Sequence, residues 1–304
     1  MRLAFLGSAD FSVPSLRAVV EAGHQVALVI TQPDKPGDRG RPAPRPVADA
    51  AGALGLPLWQ PPRLRDDAAV GRLLDLRLEA LVVAAYGQIL PAALLEGPSF
   101  GGINVHASLL PRWRGASPVV AAILHGDGET GVCIIRMDAG VDTGPVYARG
   151  AIPIPPDATT PRLTMELAEL GAGMLVEVLR DLEAGTARAE PQNEEGATYA
   201  PRLRREDAWI SWAEHTAVGI DRRVRALNPW PGVIAPLGGV EVRILAGGLG
   251  HDNSGGAVDP GEVVRSDHWA LEVATREGAY RIDTVQPPGR RPMDAAAFLR
   301  GRRR

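Results

Sequence analysis

The sequence is nearly without two side chains, and each shortage removes a class of chemistry. Cys133 is the one cysteine among 304 residues, so no disulfide forms within the chain and a reducing compartment, the cytoplasm, is the expected setting. It lies in the strand-like run Thr130-Gly131-Val132-Cys133-Ile134-Ile135, where a thiol is expected to be buried and inert. Lys35 is the only lysine, so the cationic charge is almost wholly arginine. No stretch approaches the roughly 18 to 20 uninterrupted apolar residues of a membrane span, and no membrane partner is expected. The apolar start Leu3-Ala4-Phe5-Leu6 breaks at Gly7, too early for a signal-peptide core, and reads as a first strand. The turn Gly7-Ser8-Ala9-Asp10 lacks the glycine spacing of a dinucleotide turn, and no G-x-x-x-x-G-K-[ST] loop offers a triphosphate site. Histidines 24, 106, 125, 215, 251 and 268 are scattered without zinc-ligand spacing, so no metal is expected.

What is present describes a globular protein of about two domains, 45% hydrophobic and 23% charged. The net charge of -3 conceals an asymmetry: residues 201–304 carry 16 Arg against 13 acids, and residues 1–200 carry 17 basic against 23 acidic side chains. A mildly basic C-terminal part ending in Arg302-Arg303-Arg304 suits an anionic partner such as nucleic acid, or simply a solubilising tail.

In the first half, Arg2–Gly7, Gln25–Thr31, Leu56–Trp59, Ala80–Ala84 and Gly101–Val105 read as strands. Helices are predicted at 13–22, 46–54 and 66–76. Ala80–Ala84 is apolar on both faces, as a central parallel strand is. The alternation predicts an α/β fold, an open, mostly parallel Rossmann-like sheet, with ligands beyond the carboxyl ends of its strands near Gly7, Tyr86 and His106. A long helix is expected over Thr160–Leu182, closing a catalytic domain of residues 1–188, and the polar, Pro/Gly-containing stretch from 189 to 206 reads as a linker. From Asp207 to Arg304 short β-like segments (240–244, 261–264, 270–274, 280–285) predict a small β-barrel of the OB type. Trp209, Trp212 and Trp230 are expected to pack this second domain's core and its seam with the first rather than to stack on bases.

The chemically dense segment runs from Asn104 to Gly115. Residues two apart on a strand share a face, so Asn104 and His106 point together past the sheet edge. An amide donor beside an imidazole suits a developing oxyanion, while an Asn in a turn and a His in a core explain the same pair without chemistry. Met137-Asp138-Ala139-Gly140-Val141-Asp142-Thr143-Gly144-Pro145 offers two carboxylates in a tight loop. One of them near His106 would favour the charged imidazole, and spacing alone does not choose between Asp138 and Asp142.

Asn104-x-His106 followed by Ser108-Leu109-Leu110-Pro111, with Asp142 thirty-six residues beyond His106, resembles the folate-dependent formyltransferase family. The string Gly102–Ala116, Phe5–Phe11, Thr31–Pro36, Ala85–Pro91 and Arg225–Gly232 extend the likeness along most of the chain. Within the family it is most similar to members that formylate methionyl initiator tRNA. The resemblance implies an enzyme that moves a formyl group from 10-formyltetrahydrofolate to the α-amino group of methionyl initiator tRNA, without a metal, for translation initiation. Asn104, His106 and Asp142 become the implied catalytic set. Ser108, Leu109, Leu110 and Pro111, with Tyr86, Gly87, Gln88 and Ile89, are the implied folate contacts through backbone groups. Arg39 and Arg41, on a Gly/Pro/Arg loop shorter than in relatives, and Arg222 and Arg223 are the implied tRNA contacts, with Arg225 and the tail beside them. A monomer is expected. A formyltransferase acting on a sugar nucleotide or small amine, and a noncatalytic RNA-binding module, are the alternatives.

Overall fold

The computed structural model describes residues 1–34, 37, 43–251 and 258–301. The chain divides into two compact units: residues 1–118, 129–153 and 161–201 form the first, and residues 119–128, 154–160 and 202–304 the second.

In the first unit the chain runs β1 (Arg2–Gly7), α1 (Ser12–Glu21), β2 (Gln25–Ile30), α2 (Pro46–Ala53), β3 (Leu58–Trp59), α3 (Asp67–Asp75), β4 (Ala80–Ala84), α4 (Ala92–Glu96) and β5 (Gly102–His106). Pro46 opens α2 at a position where its missing N–H costs nothing. After the two-residue β6 (Arg114–Gly115) the chain passes through α5 (Pro118–His125), which belongs to the second unit, and returns for β7 (Glu129–Arg136), β8 (Val146–Pro153), α6 (Thr160–Ala184) and the two-residue β9 (Tyr199–Ala200). The sheet order is β3-β2-β1-β4-β5-β7-β8. Pairing is parallel from β3 to β5 and antiparallel at β5–β7 and β7–β8. All five residues of β4 are buried, as its two-sided apolar run requires at the centre of such a sheet.

The buried positions of α6 (Leu163, Leu167, Ala168, Gly171, Ala172, Leu175, Val178, Leu179, Leu182) recur every three or four residues and form one stripe. Gly171 lies in that stripe because a Cβ there would sit 2.7 Å from Val105 Cγ1 on β5. This close seat of helix on strand backs the residues flanking Asn104 and His106 with a packed layer.

The second unit holds α7 (Ala217–Leu227), β10 (Val233–Leu237), β11 (Val240–Leu249), β12 (Val263–Ser266), β13 (Leu271–Ala274), β14 (Ala279–Gln286), β15 (Met293–Asp294) and α8 (Ala295–Arg300). Its antiparallel sheet has the order β10-β11-β14-β13-β12, with β15 added to β14. Trp212 is buried and its indole donates to the Pro236 carbonyl at 2.7 Å, whereas Trp209 and Trp230 are about half exposed and do not pack a core as expected. Among the described residues no helix is long and apolar enough to cross a membrane.

Candidate active site

Strands β4 and β5 are parallel neighbours, in register from Leu81 opposite Gly102 to Ala84 opposite Val105, so the loops that follow them leave the sheet side by side. Asn104 and His106 sit on the last turn of the β5 pleat, 9% and 6% exposed. The loop after β7 brings Asp142 to them. Its Oδ1 accepts from Asn104 Nδ2 at 3.3 Å, and its Oδ2 lies 3.6 Å from His106 Nδ1. The Gly115 amide donates to the same Oδ2 at 2.8 Å.

His106 Nε2 lies 3.0 Å from the Trp113 carbonyl, and a carbonyl only accepts, so Nε2 carries a hydrogen. Nδ1 is the nitrogen turned to Asp142. Asn104 Nδ2 and His106 Nδ1 thus border one carboxylate. Asp138 is spent elsewhere: its Oδ1 accepts from the Gly140 amide at 3.0 Å and from Thr143 Oγ1 at 2.7 Å.

Asp142 occupies the left-handed region, with φ 54°, a conformation that costs a non-glycine residue about 1–2 kcal/mol. Trp113 shares the region at φ 62°, and Gly115 lies at φ 110° with its Cα facing the Ala200 carbonyl, where a Cβ would come within 2.7 Å. These turns aim the Trp113 carbonyl at His106 and the Gly115 amide at Asp142.

The implied folate contacts divide by role. Ser108 is buried and donates to the Arg112 carbonyl at 2.6 Å, and Leu110 packs with Cys133, Ile135 and Val146, so both hold the loop rather than face solvent. Leu109 and Pro111 are partly exposed. The Tyr86 ring is buried in the core with Leu73, Leu90 and Leu94, its hydroxyl without a hydrogen-bond partner among the described residues and its pKa raised by desolvation. The Tyr86 carbonyl accepts from Gln32 Nε2 at 2.8 Å and Ser8 Oγ at 3.4 Å. Gln88 braces the loop by accepting from the Leu64 amide at 3.1 Å, which leaves Ile89 85% exposed.

Two glycine patterns run the wrong way for the chemistry they suggest. Gly97-Pro98-Ser99-Phe100-Gly101 has nucleophile-elbow spacing, and Gly126 to Gly131 has dinucleotide spacing, yet each leads from a helix into a strand (α4 to β5, α5 to β7) rather than the reverse. Cys133 is fully buried opposite His106 on β7, and burial pushes its thiol up to about 11. The native protein should therefore react with a thiol reagent at pH 8 only after denaturant is added; prompt labelling with loss of turnover would make Cys133 functional.

Of the arginines implied for tRNA, Arg39 and Arg41 lie outside the described residues, as do Arg302, Arg303 and Arg304. Arg222 and Arg223 make long hydrogen bonds to the His125 and Asp207 carbonyls, at 3.5 and 3.4 Å. Arg225 instead spends its charge on Asp221 at 2.8 Å. Among the described residues no group of three or more His, Cys, Asp or Glu could hold a metal ion.

The sequence pattern described as Formyl transferase matches residues 1–179, and that described as Formyl transferase, C-terminal domain, matches residues 202–303. A methionyl-tRNA formyltransferase of Heliobacterium modesticaldum is 45% identical over 310 residues, covering 100% of this chain and 98% of that one. One of Gluconacetobacter diazotrophicus is 49% identical over 305 residues, covering 99% and 96%. In fold, the chain is similar to HypX of Aquifex aeolicus in complex with tetrahydrofolic acid, with a TM-score of 0.66 at 20% identity over 98% of this chain and 47% of that one.

Proposed function

The chain belongs to the formyl transferase family, and from that premise we propose that it transfers the formyl group of 10-formyltetrahydrofolate to the α-amino group of methionyl initiator tRNA, giving N-formylmethionyl-tRNA. The observation that carries this reading is the likeness of the whole chain, both units included, to relatives named for that activity. The convergence of Asn104, His106 and Asp142 at the end of β5 supports a site for it.

When bound, the folate supplies a formyl carbon attached to a nitrogen leaving group. Asn104 Nδ2 carries two hydrogens, one directed to Asp142, and the other can meet the oxygen on which charge develops. His106, protonated on Nδ1, offers a second donor, and each such donor contributes about 10²–10³ in rate. Asp142 compensates the imidazolium charge across 3.6 Å, accepts the proton that the attacking amine must lose and passes it to the departing folate nitrogen as its bond to the formyl carbon breaks. The loops 107–111 and 85–89 hold the folate beside these groups. Arg39, Arg41, Arg222 and Arg223 contact tRNA phosphates, contacts that position without reading sequence. The enzyme works in the cytoplasm.

Incubation with 10-formyltetrahydrofolate and initiator Met-tRNA should give formylated ester, with elongator Met-tRNA and an amino-sugar nucleotide as parallel acceptors. Preferential formylation of the sugar nucleotide would replace this reading with the rival acceptor.

A further inference from the structure

Residues 189–206 read as a linker from composition, yet part of this stretch is strapped along the site. Glu190 exchanges backbone hydrogen bonds with Val146, at 2.8 and 2.9 Å. Thr198 Oγ1 accepts from the Trp113 amide at 2.9 Å, and β9 pairs in parallel with β6. Between these two fastenings lies Gln192.

The orientation of the Gln192 amide is set by its partners. Arg114 is 1% exposed, and a guanidinium only donates, so the oxygen that meets its Nε at 3.1 Å and Nη2 at 2.9 Å is Oε1. The Gln192 Nε2 then faces two acceptors, the Asp142 carbonyl at 2.8 Å and the Gly144 carbonyl at 2.7 Å. Both of its hydrogens are used. Glu194 fixes the far side of Arg114, at 2.7 and 2.9 Å, so the guanidinium cannot swing away from Gln192. Arg114 is also followed directly by Gly115, whose amide holds the Asp142 carboxylate at 2.8 Å. Asp142 is therefore gripped at its backbone carbonyl through Gln192 and at its side chain through the residue after Arg114. That double grip acts on a residue whose φ of 54° it would not favour alone.

We propose that Gln192 is a positioning residue for Asp142, holding the loop so that the carboxylate meets Asn104 and His106. The inference rests on the reading of Asp142 as catalytic. Gln192→Met keeps the length and removes both hydrogen-bonding ends. Gln192→Glu keeps the acceptor for Arg114 and turns an oxygen on the two carbonyls. Both variants should fold and should lose kcat by about 10²-fold, the usual cost of misplacing a catalytic group by about 1 Å, with KM for both substrates unchanged and the pH profile of kcat displaced. Gln192→Asn, with the same groups on a shorter arm, should recover part of the loss.

Wild-type kcat and an unmoved pH profile in a folded Gln192→Met enzyme would overturn the proposal, as would a change confined to KM. Should Gln192→Met not fold, Gln192→Glu decides by the same criteria. Failure of both to fold also overturns it, because Gln192 would then determine the fold. Asp142→Asn run alongside separates the two claims: full turnover there defeats the reading of Asp142 itself, and reduced turnover there with unaffected Gln192 variants defeats only the positioning role.

Discussion

Replacing His106 by alanine should lower kcat for formyl transfer by about 10²–10⁴-fold, the range removed with a general acid or base, while KM for folate and for tRNA stays close to that of the parent enzyme. The reason lies in how the ring is held. Its Nε2 hydrogen is committed to the Trp113 carbonyl at 3.0 Å, so the ring can offer only Nδ1 to a reacting group. Asp142 Oδ2 lies 3.6 Å from that nitrogen, too far for a hydrogen bond, which leaves Nδ1 open to a reacting group. Alanine removes this donor, and it also takes the 3.0 Å partner from the Trp113 carbonyl, where Ser108 Oγ remains at 3.4 Å, at a stability cost of about 1 kcal/mol. Steady-state kinetics at saturating substrates, paired with thermal unfolding, distinguish the two losses. A folded His106→Ala enzyme with parental turnover would end the assignment of this side chain.

What could be read from the chain follows the range of the forces involved. The central strand β4 was legible because Ala80-Leu81-Val82-Val83-Ala84 has no polar face to expose, and only a strand covered on both sides suits it. Asn104 and His106 were legible as one face because strand periodicity is local. The antiparallel entry of β7 and β8 was not, since a run such as Val132–Ile135 is equally apolar in either direction. Nor did spacing separate Asp138 from Asp142; the difference is the left-handed backbone at 142 and an amide supplied by Gly115, 27 residues away in sequence. Gln192 was the least visible. Its partners Asp142 and Arg114 are 50 and 78 residues distant, and its polar, Pro/Gly-containing neighbourhood has the composition of a connector. Trp209 and Trp230 failed in the opposite sense: aromatic size suggested a core, and both remain about half exposed.

Asp142→Asn should cut kcat by at least about 10²-fold although it changes one atom, because the carboxylate's charge and one of its two acceptor oxygens are lost. The carboxylate is surrounded by donors: Asn104 Nδ2 at 3.3 Å on Oδ1 and the Gly115 amide at 2.8 Å on Oδ2, with His106 Nδ1 beyond it. An amide has one acceptor atom, so one of these donors must face an NH₂ group. If the oxygen stays with Asn104, the NH₂ meets the Gly115 amide hydrogen and the loop shifts. If it stays with Gly115, the NH₂ confronts Asn104 and pushes away the oxyanion donor. In the first arrangement the NH₂ also takes the Oδ2 position, the one nearest His106 Nδ1, and in both the negative charge that accepts the amine's proton is gone. The expected signature is a fall in kcat with little change in KM in a folded enzyme, read by steady-state kinetics beside thermal unfolding. A kcat at the parental level in a folded Asp142→Asn enzyme would show that the negative charge of Asp142 contributes nothing to turnover.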